Sequence, residues 1–199
     1  VPETLIKGNF RIQSIPFEQS KSKKNYIEAN FIARVFIEWL GSDFKEYPEE
    51  KIEQLPFRNQ QLNLLEGLLA INDSKSTNPH SVEFSLSKLD SSKKTLLILG
   101  GLKKNISFRD LDLPQSVHTV YLFGQDRKKI AEEITHEDIV IRECLDEIID
   151  EIKNYFSSRN DLNQFIILFS PGCSSFDQYK NFEERGTAFN QLINQALRV

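Results

Sequence analysis

The sequence is short of the residues that staple small proteins or bind metals. It has two cysteines, three histidines, one tryptophan and no methionine in 199 residues. Two cysteines, Cys144 and Cys173, cannot build a disulfide framework. No CxxC or paired histidine spacing marks a zinc site, so no metal site is expected, and His80, His118 and His136 read as surface or structural. The thiols read as reduced, Cys173 as a small filler, because no histidine lies near it in sequence to activate it. No run approaches the about 18 apolar residues of a membrane span, and the first residues lack a basic-then-apolar signal layout. A net charge of −4 gives no basic surface for nucleic acid or anionic lipid. No GxxxxGK[ST] phosphate loop occurs anywhere. The missing methionine suggests a piece of a longer protein.

What is present is globular: 39% hydrophobic and 27% charged residues. "YIEANFIARVFIEWLG" places Ile27, Phe31, Val35 and Leu40 near helical spacing and stops at Gly41, and "PEEKIEQL" reads as a second short helix opened by Pro48. "LPFR", Leu55 to Arg58, ends this pattern. Strands and helices then alternate. The expected strands are Leu68–Ile71, Thr95–Gly101, Val120–Gly124, Ile139–Ile141 and Phe165–Phe169. Helices are expected through Val82, Leu86 and Leu89, over "QDRKKIAEEI", over "CLDEIIDEIKNYF", and from about Asp177 to Leu197, with a short helical turn after "LKKNISF". Continuous apolar strands alternating with helices predict a Rossmann-like, mostly parallel sheet covered on both faces.

In such sheets ligands bind beyond the carboxyl ends of the strands. Those ends read "NDSKSTN", "GGLKKN", "GQDRK" and "SPGCSS". Small residues, hydroxyls and lysines at helix starts favour an anion, so Lys75, Thr77, Lys104, Ser174 and Ser175 are expected to converge on a carboxylate or phosphate. Gly100 and Gly101 are expected to let the ligand approach, or to serve a tight turn. Plainer readings stand beside these: Asp73, Ser74 and Thr77 also read as helix caps, Lys103 and Lys104 as solvated charges, and Asp177 as the cap of the last helix.

Three segments, "INDSKSTNP", "LILGGLKKNISF" and "SPGCSSFDQYKNFEERGTAF", resemble the C-terminal domain of the D-glutamate-adding members of the Mur ligase family of bacterial peptidoglycan synthesis. The third segment is the most specific. "LPFR" resembles the family's Leu-Pro-His-Arg, with Phe57 in place of histidine, and "KNYIEA" resembles its His-Asn-x-x-Asn-Ala, with Lys24 in place of histidine. Asn59–Gln60 replaces a hydrophobic–Glu pair. The resemblance implies residues 1–54 as the tail of a central ATP-binding domain and residues 55–199 as the ligand-binding domain. It also implies missing N-terminal and central domains, and a cytoplasmic role in cell-wall synthesis, with its bearing on cell shape and division. The implied reaction uses ATP and Mg2+ to join D-glutamate to UDP-N-acetylmuramoyl-L-alanine through an acyl phosphate, so positioning and charge stabilisation dominate. Thr77, Lys104, Ser175, Phe176 and Phe182 would hold D-glutamate, and Lys75 would lie near the acyl phosphate. Asn25, Arg58 and Asp73 would meet the nucleotide, and Arg185 would pair with a nearby carboxylate. The alternatives are a stand-alone anion-binding or regulatory module without catalysis, and a sibling ligase for another amino acid.

Overall fold

The computed structural model describes residues 32–41 and 55–197. The chain divides into two units, Val1–Glu53 and Gln54–Val199, and each is considered by itself. In the first, residues 32–39 form helix α1. Gly41 follows it at φ 74°, the left-handed conformation that ends helices. The remainder of the expected Tyr26–Gly41 helix, the "PEEKIEQL" helix and Asn25 lie outside the described residues.

The second unit is a six-stranded sheet in the order β1-β2-β6-β3-β4-β5. Its strands are β1 (Gln60–Asn63), β2 (Leu69–Asn72), β3 (Lys94–Gly100), β4 (Val117–Phe123), β5 (Ile139–Ile141) and β6 (Phe165–Gly172). All neighbours pair in parallel except β1, which runs antiparallel to β2. The mostly parallel expectation therefore holds. Strand β1 was not expected from the sequence, because "QQLN" offers one apolar residue and no apolar alternation, as an edge strand can.

Helices α2 (Pro79–Leu86), α3 (Arg127–Ala131), α4 (Leu145–Phe156) and α5 (Phe182–Leu197) cover the sheet. The pleat sorts each strand between two cores. Leu96 and Ile98 of β3, with Phe165, Ile167 and Phe169 of β6, pack with α4 and α5. Leu97, Leu99, Ile166 and Leu168 face the other way, with Val82 of α2 and Ile130 of α3. In α4 the buried residues Leu145, Ile148, Ile149, Ile152 and Phe156 form one stripe, each contributing about 1.5–3 kcal/mol of burial. Asp146 and Glu147 in its first turn and Lys153 in its last suit the helix dipole.

Three boundaries differ from the sequence reading. Strand β6 runs three residues past Phe169, through Ser170, Pro171 and Gly172. There the β3–β6 register shifts between Ile98 and Gly100, an irregularity that accommodates a proline in a central strand. Helix α5 begins at Phe182, not near Asp177. Its cap is Asn181, whose Oδ1 accepts the Glu184 N–H at 2.7 Å. Only turns, and no helical turn, follow "LKKNISF".

Candidate functional site

The carboxyl ends of β2, β6 and β3 are adjacent, so their loops meet. The loop after β2 starts with Asp73, whose N–H donates to Phe169 O at 2.7 Å. The loops after β3 and β6 are joined by a two-way bridge: Leu102 N–H donates to Ser174 O (2.9 Å) and Ser174 N–H to Leu102 O (3.1 Å). Gly100 and Gly101 are closely approached by the chain itself. A Cβ on Gly100 would lie 2.1 Å from Phe123 O, and one on Gly101 2.3 Å from Ser174 O. Their positive φ values, 141° and 124°, and their bare Cα atoms let protein chains approach.

Only part of the helix-start expectation holds. The loops after β2 and β4 lead into α2 and α3, but the loop after β3 opens no helix, and α5 begins beyond the turns at 176–181. The cap of α2 is Asn78, accepting from Ser81 N–H at 2.9 Å, so none of Asp73, Ser74 and Thr77 fills that role. Asp177 does not cap α5. It accepts the Gln125 N–H at 2.9 Å and ties the loop after β6 to the loop after β4.

The candidate residues fall into two pairs and two single positions. Lys75 and Phe182 come together, with the exposed Lys75 Nζ 3.8 Å from the ring centroid. Lys104 and Phe176 come together at 5.5 Å, both exposed. Thr77 lies half-buried two residues beyond Lys75. Ser175 is enclosed, and its carbonyl accepts the N–H groups of Gln178 (3.2 Å) and Tyr179 (2.9 Å).

On the nucleotide side, Arg58 is exposed, whereas Asp73 is buried among protein donors. Asn59 N–H, Ser85 Oγ and Ser170 Oγ donate to its carboxylate at 3.2, 2.6 and 3.1 Å. Burial pushes the Asp73 carboxyl above its ordinary value, against these hydrogen bonds. Phe57, which stands where the family has histidine, packs on α5: a Cβ on Gly186 would lie 2.4 Å from its ring.

The neighbouring lysines Lys103 and Lys104 are treated oppositely. Lys103 is largely buried and neutralised by Glu133, while its N–H donates to Asp126 at 2.9 Å. Neither Lys104 nor Lys75 has a carboxylate partner among the described residues. Arg185 was missed as an organiser. Its guanidinium is fully buried and meets no carboxylate among the described residues, where a carboxylate partner was expected. It donates to Ser74 Oγ (3.1 Å), Ser74 O (2.8 Å) and Cys173 O (3.0 Å). The sequence did hold a signal: Arg185 continues the four-residue spacing of Phe189, Ile193 and Leu197, a basic residue in a buried stripe. Cys173 is buried as a filler would be, its thiol pushed up to about 12 by burial. Among the described residues no three acidic, histidine or cysteine side chains converge as a metal site.

The arrangement sets cations on π faces and carbonyls beside backbone-rich loops, a combination able to receive an anion. No family model matches the sequence. Among solved structures, MurF from Acinetobacter baumannii is similar over 86% of this chain and 38% of its own, with a TM-score of 0.59 at 16% identity. MurF ligase from Thermotoga maritima, solved in complex with ADP, is similar over 82% of this chain and 36% of its own, with a TM-score of 0.50 at 14% identity. By fold, the described sheet and helices are a Rossmann-like domain of the Mur ligase type. Curated relatives narrow this. The UDP-N-acetylmuramoylalanine–D-glutamate ligase of Hydrogenovibrio crunogenus is 38% identical over 148 residues, covering 71% of this chain and 31% of that protein. The enzyme of the same name from a Hydrogenobaculum species is 35% identical over 199 residues, covering 97% of this chain and 46% of that protein. The chain belongs to the family of these D-glutamate ligases, and it spans less than half the length of either relative.

Proposed function

We propose that the chain carries the amino-acid-holding part of an ATP-dependent ligase that adds D-glutamate to UDP-N-acetylmuramoyl-L-alanine in peptidoglycan synthesis. The observation that carries this reading is the pair of lysines, Lys75 and Lys104, on the two loops that flank the loop after β6, with no carboxylate partner among the described residues. A dicarboxylic amino acid supplies the missing negative charge. Lys104, Thr77 and Ser175 hold its carboxylates, and the Phe176 and Phe182 rings wall its carbon chain. Lys75 faces the second reactant, where the acyl phosphate forms.

In this scheme ATP transfers its terminal phosphoryl group to the alanine carboxylate. The neutral amine of D-glutamate attacks the acyl carbon, the C–N bond forms, the C–O bond to phosphate breaks, and the amine loses a proton. Lys75 and Lys104 offset the charge of two anionic reactants brought together. Arg58 and Asn25 are assigned to the nucleotide. Asp73, enclosed by Asn59, Ser85 and Ser170, acts on that side through the loop it braces. Mg2+ and most of the ATP contacts are assigned to the central domain, of which residues 1–54 are the tail, and residues 55–199 are the ligand-binding domain.

The test is phosphate release by the protein encoded with its upstream domains. Release should require ATP, UDP-N-acetylmuramoyl-L-alanine and D-glutamate together, and this chain alone should release none. Release that ignores D-glutamate would overturn the reading.

A further inference from the structure

Arg185 is an expensive residue to bury. It lies in the first turn of α5, in register with the apolar stripe Phe189, Ile193 and Leu197, and it is fully buried. A buried cation ordinarily needs a counter-ion. Burial lowers its pKa to about 10, so it stays charged at neutral pH. All its hydrogen bonds to described residues end on neutral oxygens.

Those oxygens belong to the loops that carry the candidate site. Nε and Nη2 donate to Ser74 Oγ and O, one residue before Lys75. Nη1 donates to Cys173 O, two residues before Ser175. Ser74 Oγ passes the connection on, donating to Phe182 O at 2.8 Å. The loop after β3 leans on the same group, since a Cβ on Gly101 would lie 3.3 Å from Nη1. A planar guanidinium fixes angles as well as distances between its acceptors, which a flexible ammonium cannot do. Helix packing alone does not explain the choice, because an apolar side chain would fill the stripe but leave the Ser74 and Cys173 carbonyls without this donor.

We infer that Arg185 is a positioning residue: its buried fork sets the separation between the Lys75–Thr77 loop and the Ser175–Phe176 loop. Through that separation it sets the affinity for D-glutamate, a consequence that rests on the function proposed above.

The test compares Arg185→Lys and Arg185→Gln with the unaltered 199-residue chain, by amide hydrogen exchange and by titration with D-glutamate, with L-glutamate as control. In Arg185→Lys the sheet amides of Leu97, Ile98 and Leu168 should keep their protection. The loop amides of Ser76, Leu102 and Ser174 should exchange faster by roughly tenfold, and D-glutamate affinity should fall by a similar factor, as for loss of one charge-assisted contact. Arg185→Gln should show the same pattern more strongly. Unchanged loop exchange in Arg185→Lys overturns the inference. So does equal acceleration of loop and sheet amides in that variant, which would make Arg185 a general core residue. If the unaltered chain ignores D-glutamate while the loops still respond, the positioning role stands and the assigned ligand falls.

Discussion

The two ends of the sheet use the same kinds of side chain to opposite effect. At the amino ends of the strands, Arg159 lies over the Tyr155 and Phe165 rings, at 4.5 and 5.1 Å, and also pairs with Asp161 at 3.4 Å. Thr119 donates to Asp138 at 2.7 Å, and the His136 ring spans Val117 O and Asp138 O. Burial, then the Lys94 charge, holds His118 below its ordinary value, so it is neutral at physiological pH. This end is largely closed on itself. At the carboxyl ends, Lys75 and Lys104 lie on rings without a carboxylate partner among the described residues, and Arg185 ends on carbonyls. Cation–π contacts and carbonyls hold a cation in place without cancelling its charge. Each end holds paired cations, Arg159 at one and Lys103 at the other. The contrast lies in Lys75 and Lys104, two unpaired lysines among the described residues on the loops flanking the one after β6, against Lys94 at the amino end.

The comparison breaks first if the carboxyl end is not rigid. Gly101→Ala should destabilise the domain by on the order of 3 kcal/mol in chemical denaturation, because a Cβ at positive φ would meet the Ser174 carbonyl. A loss below 1 kcal/mol, on the order of a tolerated surface change, would mean the loops separate easily. Next comes the charge itself. Lys104→Ala should weaken D-glutamate binding by about one to two decades, or about 1.5–3 kcal/mol. In the protein with its upstream domains, the function proposed above predicts that the same change raises KM for D-glutamate far more than KM for ATP. Lys94→Ala at the opposite end should leave affinity within about a factor of two. Equal effects of the two substitutions would erase the contrast.

Smaller effects sharpen it. Asn78→Ala removes the cap of α2 and should cost about 1 kcal/mol, with D-glutamate affinity reduced through the Thr77 loop. A titration that matches the unaltered chain would detach that loop from the ligand. Last is the neutralised lysine. The Lys103 hydrogen bond holds the Glu133 carboxyl below its usual 4.5. A lowered carboxyl pKa stabilises the fold above the ordinary value, and that stability is lost as pH falls through the folded value. Glu133→Gln should therefore lower stability slightly at neutral pH and flatten its loss below pH 4.5. An unchanged acid profile would show that Lys103 is not held as described.

The apolar runs determined much of the architecture. Leu96–Leu99, Val120–Phe123 and Phe165–Phe169, short apolar runs bounded by turn residues, read as buried strands and are so, and the α4 stripe fixes its buried face, because the apolar pattern is a local property. The polar segments between them raised the expectation of an anion site, beside the plainer readings as caps and solvated charges. Three matters were settled only by packing. Edge strand β1 is held by its pairing with β2, which its own residues do not announce. Gly100 and Gly101 are set by carbonyls of Phe123 and Ser174 that are distant in sequence. Lys103 and Lys104 are equivalent in sequence, and only the position of Glu133 on a neighbouring element neutralises one and leaves the other available. Arg185 belongs to the same class: a charge in an apolar stripe was visible, but its acceptors are one serine hydroxyl and two carbonyls, and carbonyls are identical along every chain until folding chooses among them.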